Sequence, residues 1–436
     1  MSQHTNLLHI YTFLASTTFP FIISRLLFKS LRSSGYQHRL AERFGRTPFP
    51  ALHQSLWLHA VSVGESQAAL PLIEALRASY PRKETVVTTT TPTGSDLVLK
   101  RFGSSIKHCY FPYDLPFCMR SFLDTVDPRV ALFMETEIWP NCYNICSRKG
   151  IPIVMINARL SPRSYRGYRR IKFFIAPILQ SCRAILAQSQ ADAERFLDLG
   201  ANQDKVQVTG NLKFDQKIPP DTLDKGEQLR SLFGSQRPVW VAASTHSGEE
   251  EYLLQAHSQV RDAFPNALLI LVPRHAERFE EVARLCSRKG YSLARRSQGQ
   301  EASTSAIYLG DTMGELLTLY AASDLAFVGG SLVSVGGHNM LEPAALSKPI
   351  LAGAQLHNFQ EIAEMLKSNK AMFQVIGSHD LARHVIQLFK DDQEREAIGQ
   401  RGYKAVEQNR GALEKNLQHI ERVLNPRAPN KINASR

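Results

Sequence analysis

Short apolar segments alternate with helical segments twice along the chain, and this alternation constrains the fold more than any other feature. In the first half, segments rich in Val, Ile and Thr are typical of parallel strands that are buried on both faces. These predicted strands are 56–63, 84–91, 130–137, 151–158, 184–189 and 206–211. Between them lie segments such as 65–80, whose apolar residues recur every three or four positions and predict helices. The pattern indicates a doubly wound α/β domain.

The alternation stops at residues 213–228, "KFDQKIPPDTLDKGEQ", which are polar, contain prolines and predict an interdomain connection. It then restarts, and the chain is predicted to be helical from about Ser378 to Leu424, with a frayed end. A chain of 436 residues is too long for one ordinary core. We therefore expect two Rossmann-like domains, with ligands bound in a cleft at the carboxyl ends of their strands. The strands predicted in the second domain are 238–245, 267–273, 306–311, 325–331 and 348–353.

The amino-terminal segment 7–24, "LLHIYTFLASTTFPFIIS", is mostly apolar, and a bilayer span needs about 20 such residues. His9 and Pro20 weaken the pattern, and no cleavage site follows, which argues against a signal peptide. We predict a membrane anchor, either a span or a helix lying on the bilayer, with a buried helix as the alternative. The basic residues that follow it place the body of the protein in the cytoplasm. They are Arg25, Lys29, Arg32, Arg39 and Arg43.

The formal net charge of +12 predicts an anionic partner, such as a phosphorylated lipid, a membrane surface or a nucleotide. The basic residues are dispersed and show no ribonucleoprotein signature, which argues against nucleic acid. The six cysteines form no CxxC pair, as expected of reduced thiols in the cytosol. A P-loop, HExxH, GxSxG, an EF-hand loop and Asp-x-Asp are all absent from the sequence. We therefore expect no required metal.

A glycine-rich turn, "GGSLVSVGGHNMLEP", joins a predicted strand to a predicted helix in the second domain. Gly329–Gly330 and Gly336–Gly337 allow the backbone to turn tightly and to approach a ligand. A helix predicted to begin near His338–Asn339 would direct free N–H groups at a phosphate. Glu342 could then accept hydrogen bonds from ribose hydroxyls. The alternative is a tight turn whose glycines serve packing alone.

Two further strand ends of the same predicted sheet carry candidate ligand contacts. "LVPRHAERF" places Pro273 and Arg274 at a strand-to-helix junction, where Arg274 could pair with a phosphate or a base carbonyl. "GDTMGEL" places Met313, Gly314 and Glu315 at another junction, where the backbone could hold the edge of a base. Together with the glycine turn, these segments predict one nucleotide-binding crevice.

The first domain carries candidate catalytic residues at its own strand ends. In "HAVSVGES", Glu65 opens a helix, where it is either a partner of the helix dipole or a general base. "METEIWPN" places Glu135 and Glu137 at another strand end, and "GNLKFD" places Lys213 where it could reach a phosphate. A basic and aromatic segment, 159–174, is either a solvated face or a binding surface for an anionic lipid headgroup. Its candidate headgroup contacts are Arg159, Arg163, Arg166, Arg169 and Arg170.

Seven motifs in order along the chain resemble those of the 3-deoxy-D-manno-octulosonic acid (Kdo) transferases, glycosyltransferase family 30. They are "HAVSVGES", "METEIWPN", "INARLS", "GNLKFD", "VPRH", "DTMGEL" and "GGHNMLEP". The resemblance extends from the apolar segment to about residue 425. It implies a GT-B fold of two Rossmann-like domains with an N-terminal membrane-anchor helix, on the cytoplasmic face of the inner membrane. It also implies inverting transfer of Kdo from CMP-Kdo to the glucosamine disaccharide of a lipid A precursor, lipid IV-A, without a cofactor.

The resemblance assigns roles to individual residues. Glu65 matches the general base, and Glu135 and Lys213 match residues that stabilise the transition state. The residues that match contacts to the CMP of the donor are Pro273, Arg274, Met313, Gly314, Glu315, Gly336, Gly337, Asn339, Met340, Leu341 and Glu342.

The predicted organisation has five parts. They are an anchor at 1–34, an acceptor-side domain at 35–215, a linker at 216–228, a CMP-sugar domain at 229–410, and a C-terminal helix and frayed tail at 411–436. Two other functions fit the same frame: a nucleotide-sugar epimerase, which would need neither lipid acceptor nor anchor, and a membrane-docked nucleotide sensor without catalysis.

Overall fold

The structure, a computed structural model, describes residues 2–32 and 39–425. The chain divides into two compact units, of which the first runs to Gln216 and resumes at Arg410, and the second is Lys217–Asn409. Each unit contains a seven-stranded parallel sheet with helices on both faces. The prediction of two Rossmann-like α/β domains is confirmed.

The sheet of the first unit has strand order β3-β2-β1-β4-β5-β6-β7, and every pairing in it is parallel. Its central strands are buried along their whole length, as their apolar composition predicts. The strands are β1 Ser55–His59, β2 Thr85–Thr89, β3 Lys107–Tyr110, β4 Pro128–Met134, β5 Ile153–Ala158, β6 Ala184–Ala187 and β7 Val206–Val208.

Among the described residues of the first unit, eight helices precede the second unit. Four of them begin with a proline in the first turn, where the missing N–H costs no hydrogen bond. They are α1 Ser2–Arg32, α2 Val63–Ser79, α3 Pro92–Phe102, α4 Pro116–Val126, α5 Pro140–Arg148, α6 Pro162–Arg170, α7 Lys172–Ser181 and α8 Gln190–Asp198.

The sheet of the second unit has strand order β10-β11-β9-β8-β12-β13-β14, also parallel throughout. Strands β3, β10 and β14 were not predicted, because each is a short sheet-edge strand without a long apolar run. The strands are β8 Val239–Thr245, β9 Leu268–Pro273, β10 Leu293–Arg295, β11 Ile307–Leu309, β12 Leu325–Val328, β13 Ile350–Ala352 and β14 Met372–Gln374.

Among the remaining helices, α9 begins earlier than expected. Helix α9 starts at Thr222, inside the predicted linker 216–228, because Leu229 and Phe233 are buried in the second unit and Gly226 packs directly on Ala321. The helices are α9 Thr222–Phe233, α10 Glu249–Ala263, α11 Phe279–Arg288, α12 Leu316–Ala321, α13 Leu341–Ala345, α14 Gln360–Ser368, α15 Gly377–Lys390, α16 Asp392–Gln408 and α17 Ala412–Leu424.

Hydrophobic clusters cover both faces of the first sheet. Trp57 on β1 belongs to one cluster, whereas its neighbours Leu56 and Leu58 belong to the other, because successive side chains of a strand point to opposite faces. Ile420 and Leu424 of α17 are buried in the second of these clusters. The C-terminal helix is therefore part of the first unit, although 193 residues of the second unit separate it from the rest.

Helix α1 lies along the first unit. The Tyr11 hydroxyl donates to Asp114 at 3.0 Å, the Thr12 hydroxyl lies 2.9 Å from Asn141 Oδ1, and Phe19 meets Tyr113 edge to face. Within the described part of the chain, no helix combines the length and hydropathy that crossing a bilayer requires. The membrane anchor stays a prediction. Residues 1 and 33–34 of its predicted range lie outside the described residues, as do residues 35–38 of the predicted acceptor-side domain and residues 426–436 of the predicted tail. The side chains of Arg25, Lys29 and Arg32 also lie outside what the structure describes.

Candidate active site

Glu65 lies in the first turn of α2, directly after the carboxyl end of β1. Its N–H donates to Ser62 Oγ at 3.3 Å, the Ser62 hydroxyl donates to Glu65 Oε1 at 3.0 Å, and the N–H of Val61 donates to Oε2 at 2.9 Å. This reciprocal capping arrangement holds the carboxylate over the start of the helix. Each oxygen keeps a further lone pair, so the cap and the general base are compatible roles for the same group.

Three carboxylates share one electrostatic environment at this edge of the sheet. Burial raises the pKa of Glu65, the N–H of Val61 opposes this rise, and the charge of Glu135 adds to it. Burial also raises the pKa of Glu137 to about 7, with contributions from the charges of Glu65 and Glu135. A carboxylate with a raised pKa is a stronger base, which is what abstraction of a hydroxyl proton needs.

The backbone of Glu135 is strained. Its φ of +54° is left-handed, while its N–H continues the ladder to Ile156 O at 3.0 Å. Holding a non-glycine residue in this conformation costs on the order of 1–3 kcal/mol of stability, and such residues cluster at functional sites. The strain turns the chain sharply where β4 ends, which brings Glu135 and Glu137 into the same electrostatic environment as Glu65.

Lys213 lies in a 3-10 turn, Leu212–Asp215, that contacts α2, the helix of Glu65. The turn is held by Asn157, itself left-handed at φ +50°, whose Oδ1 accepts from the N–H of Leu212 at 2.9 Å. On the other side, the Asp215 carboxylate accepts from two N–H groups at the start of α17, each at 2.7 Å. The predicted catalytic residues Glu65, Glu135 and Lys213 thus follow strand ends on one edge of the first unit.

The predicted headgroup residues form a basic surface beside this edge. Arg159 follows β5 directly, and α6 carries the other four as exposed side chains: Arg163, Arg166, Arg169 and Arg170. Tyr165 and Tyr168 of the same helix pack against the hydrophobic core. This geometry is compatible with both predictions for the segment, a solvated face and a surface that binds a lipid headgroup.

In the second unit the glycine turn follows β12. Gly330, Gly336 and Gly337 have φ of +67°, +106° and +79°, and the N–H groups of Gly336 and Gly337 both donate to the Gly330 carbonyl. Gly329 is required for packing, since a Cβ there would lie 2.6 Å from the Ser244 carbonyl oxygen. Packing and backbone conformation therefore both demand glycine here.

The helix predicted to begin near His338–Asn339 begins instead at Leu341 and has five residues. Asn339 delays the start, because its Oδ1 accepts from the N–H of Leu341 at 3.1 Å and its Nδ2 donates to Glu342 at 3.0 Å. So short a helix has little dipole to offer a phosphate. Met340 and Leu341 are buried, so their side chains support the turn from inside.

Arg274 is an exposed cation at this edge, and its backbone N–H donates to the Thr245 carbonyl at 3.0 Å. It lies near Glu342. Burial raises the pKa of Glu342, and the hydrogen bond from Asn339 and the charge of Arg274 oppose this rise. It also helps burial to lower the pKa of His338 to about 4. His338 Nε2 lies 2.8 Å from His246 Nε2. Neither histidine was predicted as a site residue, since lone histidines carry no spacing signal.

Glu249, the first residue of α10, was also not predicted as a site residue and is fully buried. Its carboxylate accepts from the N–H groups of His246, Gly330, Ser331 and Leu332 at 2.7–3.0 Å. One buried charge thus joins the end of β8 to the glycine turn. An acidic run, "GEEE", after a predicted strand was the available signal.

The residues of the "MGE" segment, 313–315, differ in how far they are engaged within the unit. Met313 is exposed and Gly314 has φ of +92°, so the backbone there is open to a ligand. The Glu315 carboxylate is engaged within the unit: it accepts from Arg296 at 2.7 and 3.1 Å and from the Thr312 hydroxyl. The hydrogen bond from Arg296 lowers the pKa of Glu315.

Comparison with known proteins identifies the family. Residues 38–216 match the family described as 3-Deoxy-D-manno-octulosonic-acid transferase (kdotransferase), and residues 249–405 match glycosyl transferases group 1. The 3-deoxy-D-manno-octulosonic acid transferase of Haemophilus influenzae is 41% identical over 421 residues, which cover 95% of this chain and 98% of that protein. The chain belongs to the Kdo transferase family. The enzyme of the same name from Bordetella pertussis is 33% identical over 94% of this Kdo transferase and 98% of its own length.

This Kdo transferase is accordingly a glycosyltransferase that transfers Kdo in lipopolysaccharide biosynthesis. The UDP-GlcNAc 2-epimerase of Neisseria meningitidis bound to UDP-GlcNAc is 15% identical over 85% of this chain and all of its own, with a TM-score of 0.57. At this identity the likeness shows the two-domain, GT-B-like fold alone. Family membership favours transfer over the epimerase alternative.

Proposed function

We propose that this enzyme transfers Kdo from CMP-Kdo to the glucosamine disaccharide of a phosphorylated lipid A precursor, lipid IV-A, with inversion at the anomeric carbon. The observation that carries the proposal is the capped, partly buried Glu65 carboxylate with its raised pKa. An acceptor hydroxyl is a poor nucleophile and needs such a base within hydrogen-bond reach.

The proposed step is a single displacement. The acceptor hydroxyl oxygen forms a bond to the anomeric carbon of Kdo while its proton passes to Glu65. The bond from that carbon to the phosphate oxygen breaks, and CMP leaves with the electron pair. Attack on the face opposite CMP inverts the anomeric configuration. CMP is a stable leaving group, so no general acid is required.

Charge stabilisation in this step falls to Lys213 and Glu135. We assign Lys213 to the negative charge that develops on the departing phosphate, and Glu135 to the positive charge that develops at the anomeric centre. The mechanism uses no metal or cofactor. In the described ranges no group of three His, Cys, Asp or Glu side chains suits a metal ion, and the metal-free mechanism rests on the chemistry of CMP.

The second unit supplies the proposed donor site. Arg274, exposed at the end of β9, would pair with the phosphate, and Glu342 would accept from ribose hydroxyls. Because the Glu315 carboxylate is held by Arg296, the proposed contact of the "MGE" segment to the base is made by the backbone of Met313–Gly314. We also assign to the donor site Pro273, next to Arg274 in sequence. The turn at Gly336–Gly337 and the residues that follow it belong to the proposed site as well: Asn339, Met340 and Leu341.

We place the enzyme at the cytoplasmic face of the inner membrane, lying on the bilayer. Ile10, Phe13 and Leu14 of α1 are exposed although apolar. Tyr11 and Thr12 of the same helix bond to Asp114 and Asn141. Phe173, next to α6, is also exposed. Apolar side chains beside the exposed arginines of α6 fit the headgroup region of an anionic membrane. The lipid acceptor is embedded in the bilayer whereas the donor is soluble, so the two substrates can meet only at the membrane surface.

The deciding experiment is Glu65→Gln. We expect turnover of CMP-Kdo with a tetra-acylated, bisphosphorylated precursor to fall at least about 100-fold, because a positioned base contributes that much. CMP affinity, measured by titration calorimetry, should be unchanged. Mass spectrometry of the lipid product also counts the Kdo residues added, and NMR of the product reports the anomeric configuration.

The matched control is Glu74→Gln, which removes an exposed carboxylate from the same helix. Full turnover is expected in this variant. Turnover of Glu65→Gln at the control's rate would remove Glu65 from the mechanism, and a retained anomeric configuration would exclude the single displacement.

A further inference from the structure

The imidazole of His59, on β1, is fully buried and carries an unused hydrogen-bonding atom. Its Nδ1 lies 2.9 Å from the Thr88 hydroxyl and 3.2 Å from the Thr88 carbonyl oxygen, and the ring stacks on Phe111 at 4.0 Å. Its Nε2 has no hydrogen-bond partner among the described residues. A buried polar atom left this way requires an explanation, because most such atoms are paired.

The state of this ring follows from its surroundings. Burial lowers the pKa of His59 to about 3, so the ring is neutral at physiological pH and carries one proton. A proton on Nδ1 satisfies the Thr88 carbonyl. Nε2 is then a lone-pair acceptor, and the group that faces it must bring a proton.

The group that faces Nε2 is Glu137. Its Oε2 lies 4.0 Å from His59 Nε2 and accepts from the indole N–H of Trp139 at 3.0 Å. A neutral imidazole and an ionised carboxylate would present two acceptors to each other. A protonated Glu137 would instead donate to Nε2 after a movement of about 1 Å, which brings the two atoms to hydrogen-bond distance.

The other titratable groups around Glu137 also favour its acid form. Glu65 at the start of α2 and Glu135 on the same segment are like charges, and burial and these charges raise the pKa of Glu137 to about 7. The hydroxyls of Tyr143 on α5 and Tyr168 on α6 interact with Glu137 and have pKa values raised by burial. Both tyrosines are therefore neutral. The charges that act on Glu137 are those of Glu65 and Glu135, and both oppose its ionisation.

We propose that Glu137 is a neutral carboxylic acid in the resting enzyme, with its proton directed at His59 Nε2, and that this neutrality keeps Glu65 ionised as the base. The inference rests on the proposed role of Glu65. It makes Glu137 and His59 positioning residues, which act through Glu65 without touching the substrate.

The physical reason is that neighbouring carboxylates do not both ionise freely, so their environments decide which one holds the proton. Glu65 faces N–H and O–H donors from Val61 and Ser62, which favour the anion. Glu137 faces the lone pair of His59, which favours the acid. The indole N–H of Trp139 favours the anion, but burial and the neighbouring carboxylates outweigh it. The pair is thereby separated into one base and one proton holder.

The test is the pH dependence of kcat/KM in three variants. His59→Phe keeps the ring stacked on Phe111 and removes the acceptor, so Glu137 ionises at lower pH and repels the charge of Glu65. We expect the acidic limb to move up by about one pH unit. Glu137→Gln is neutral at every pH, so the acidic limb of this variant should not move up. The double variant should show the profile of Glu137→Gln.

His53→Phe, at an exposed histidine, is the control and should leave the profile unchanged. Infrared spectroscopy gives a readout independent of turnover: the carbonyl band of a protonated carboxyl at pH 6 should persist in Glu65→Gln and lose intensity in Glu137→Gln. A 100-fold loss of activity in Glu137→Gln, or an unchanged band in that variant, overturns the proposal. This band tests the protonation of Glu137 even if His59→Phe does not fold or Glu65 is not the base.

Discussion

The four hydrogen bonds to Glu249 make a quantitative prediction about the donor half of the enzyme. Oε2 accepts from the N–H groups of His246 at 2.9 Å and Gly330 at 2.7 Å, and Oε1 accepts from those of Ser331 at 3.0 Å and Leu332 at 2.9 Å. The side chain is fully buried, so water cannot replace these bonds. The substitution Glu249→Gln keeps the shape and removes half of the acceptors.

In either orientation, the amide of Gln presents its NH2 group to two of the four backbone donors. Each buried donor left without an acceptor costs about 1–3 kcal/mol, which gives a loss of about 2–6 kcal/mol. For a unit of this size, 1 kcal/mol corresponds to about 2–4 °C in Tm. We therefore expect the second unit to melt about 4–24 °C earlier. The glycine turn loses an anchor in both orientations, so CMP should bind at least about 10-fold more weakly.

Differential scanning calorimetry and titration with CMP measure both effects. The matched control is Glu251→Gln, which removes an exposed carboxylate from the same helical turn. This control should melt and bind as the parent does. If Glu249→Gln matched the control in Tm and CMP affinity, the reasoning that this carboxylate holds the turn would be refuted.

Three further outcomes are expected. Gly329→Ala should destabilise the fold by more than about 2 kcal/mol, because its Cβ would lie 2.6 Å from the Ser244 carbonyl oxygen. Gly314→Ala, which has open space around it, should cost only about 1 kcal/mol. Chemical denaturation of the two variants measures the difference. Since the pKa of Glu137 rises from 4.5 to about 7 on folding, the folded protein binds more protons between these pH values, so its stability declines as pH rises from 4.5 to 7. Glu137→Gln should show a smaller decline than the parent between pH 5 and pH 8 in thermal melts. Phe13→Asp should reduce sedimentation with vesicles of phosphatidylethanolamine and phosphatidylglycerol at least about 5-fold, and equal sedimentation of both proteins would contradict the membrane-facing role of α1.

Several structural features could not be read from local pattern. Strand β10 at Leu293–Arg295 is too short to show a period, and α9 lies in a polar, proline-bearing stretch because its buried side chains are few. The start of α13 shifted from 338–339 to Leu341 because the Asn339 side chain bonds forward to the backbone. Each depends on one or two side-chain contacts that periodicity does not register.

By itself, the sequence determined the two α/β domains and the candidate residues at their strand ends, because burial on both faces leaves a local apolar pattern and parallel strands place their carboxyl ends on one edge. Only the tertiary structure decided what those residues experience. The partners of Glu249 lie 81–83 residues away at Gly330–Leu332, and Glu137 meets a histidine from another strand. Hydrogen-bond partners and loss of water are properties of packing between distant segments, and they set the protonation states on which the chemistry depends.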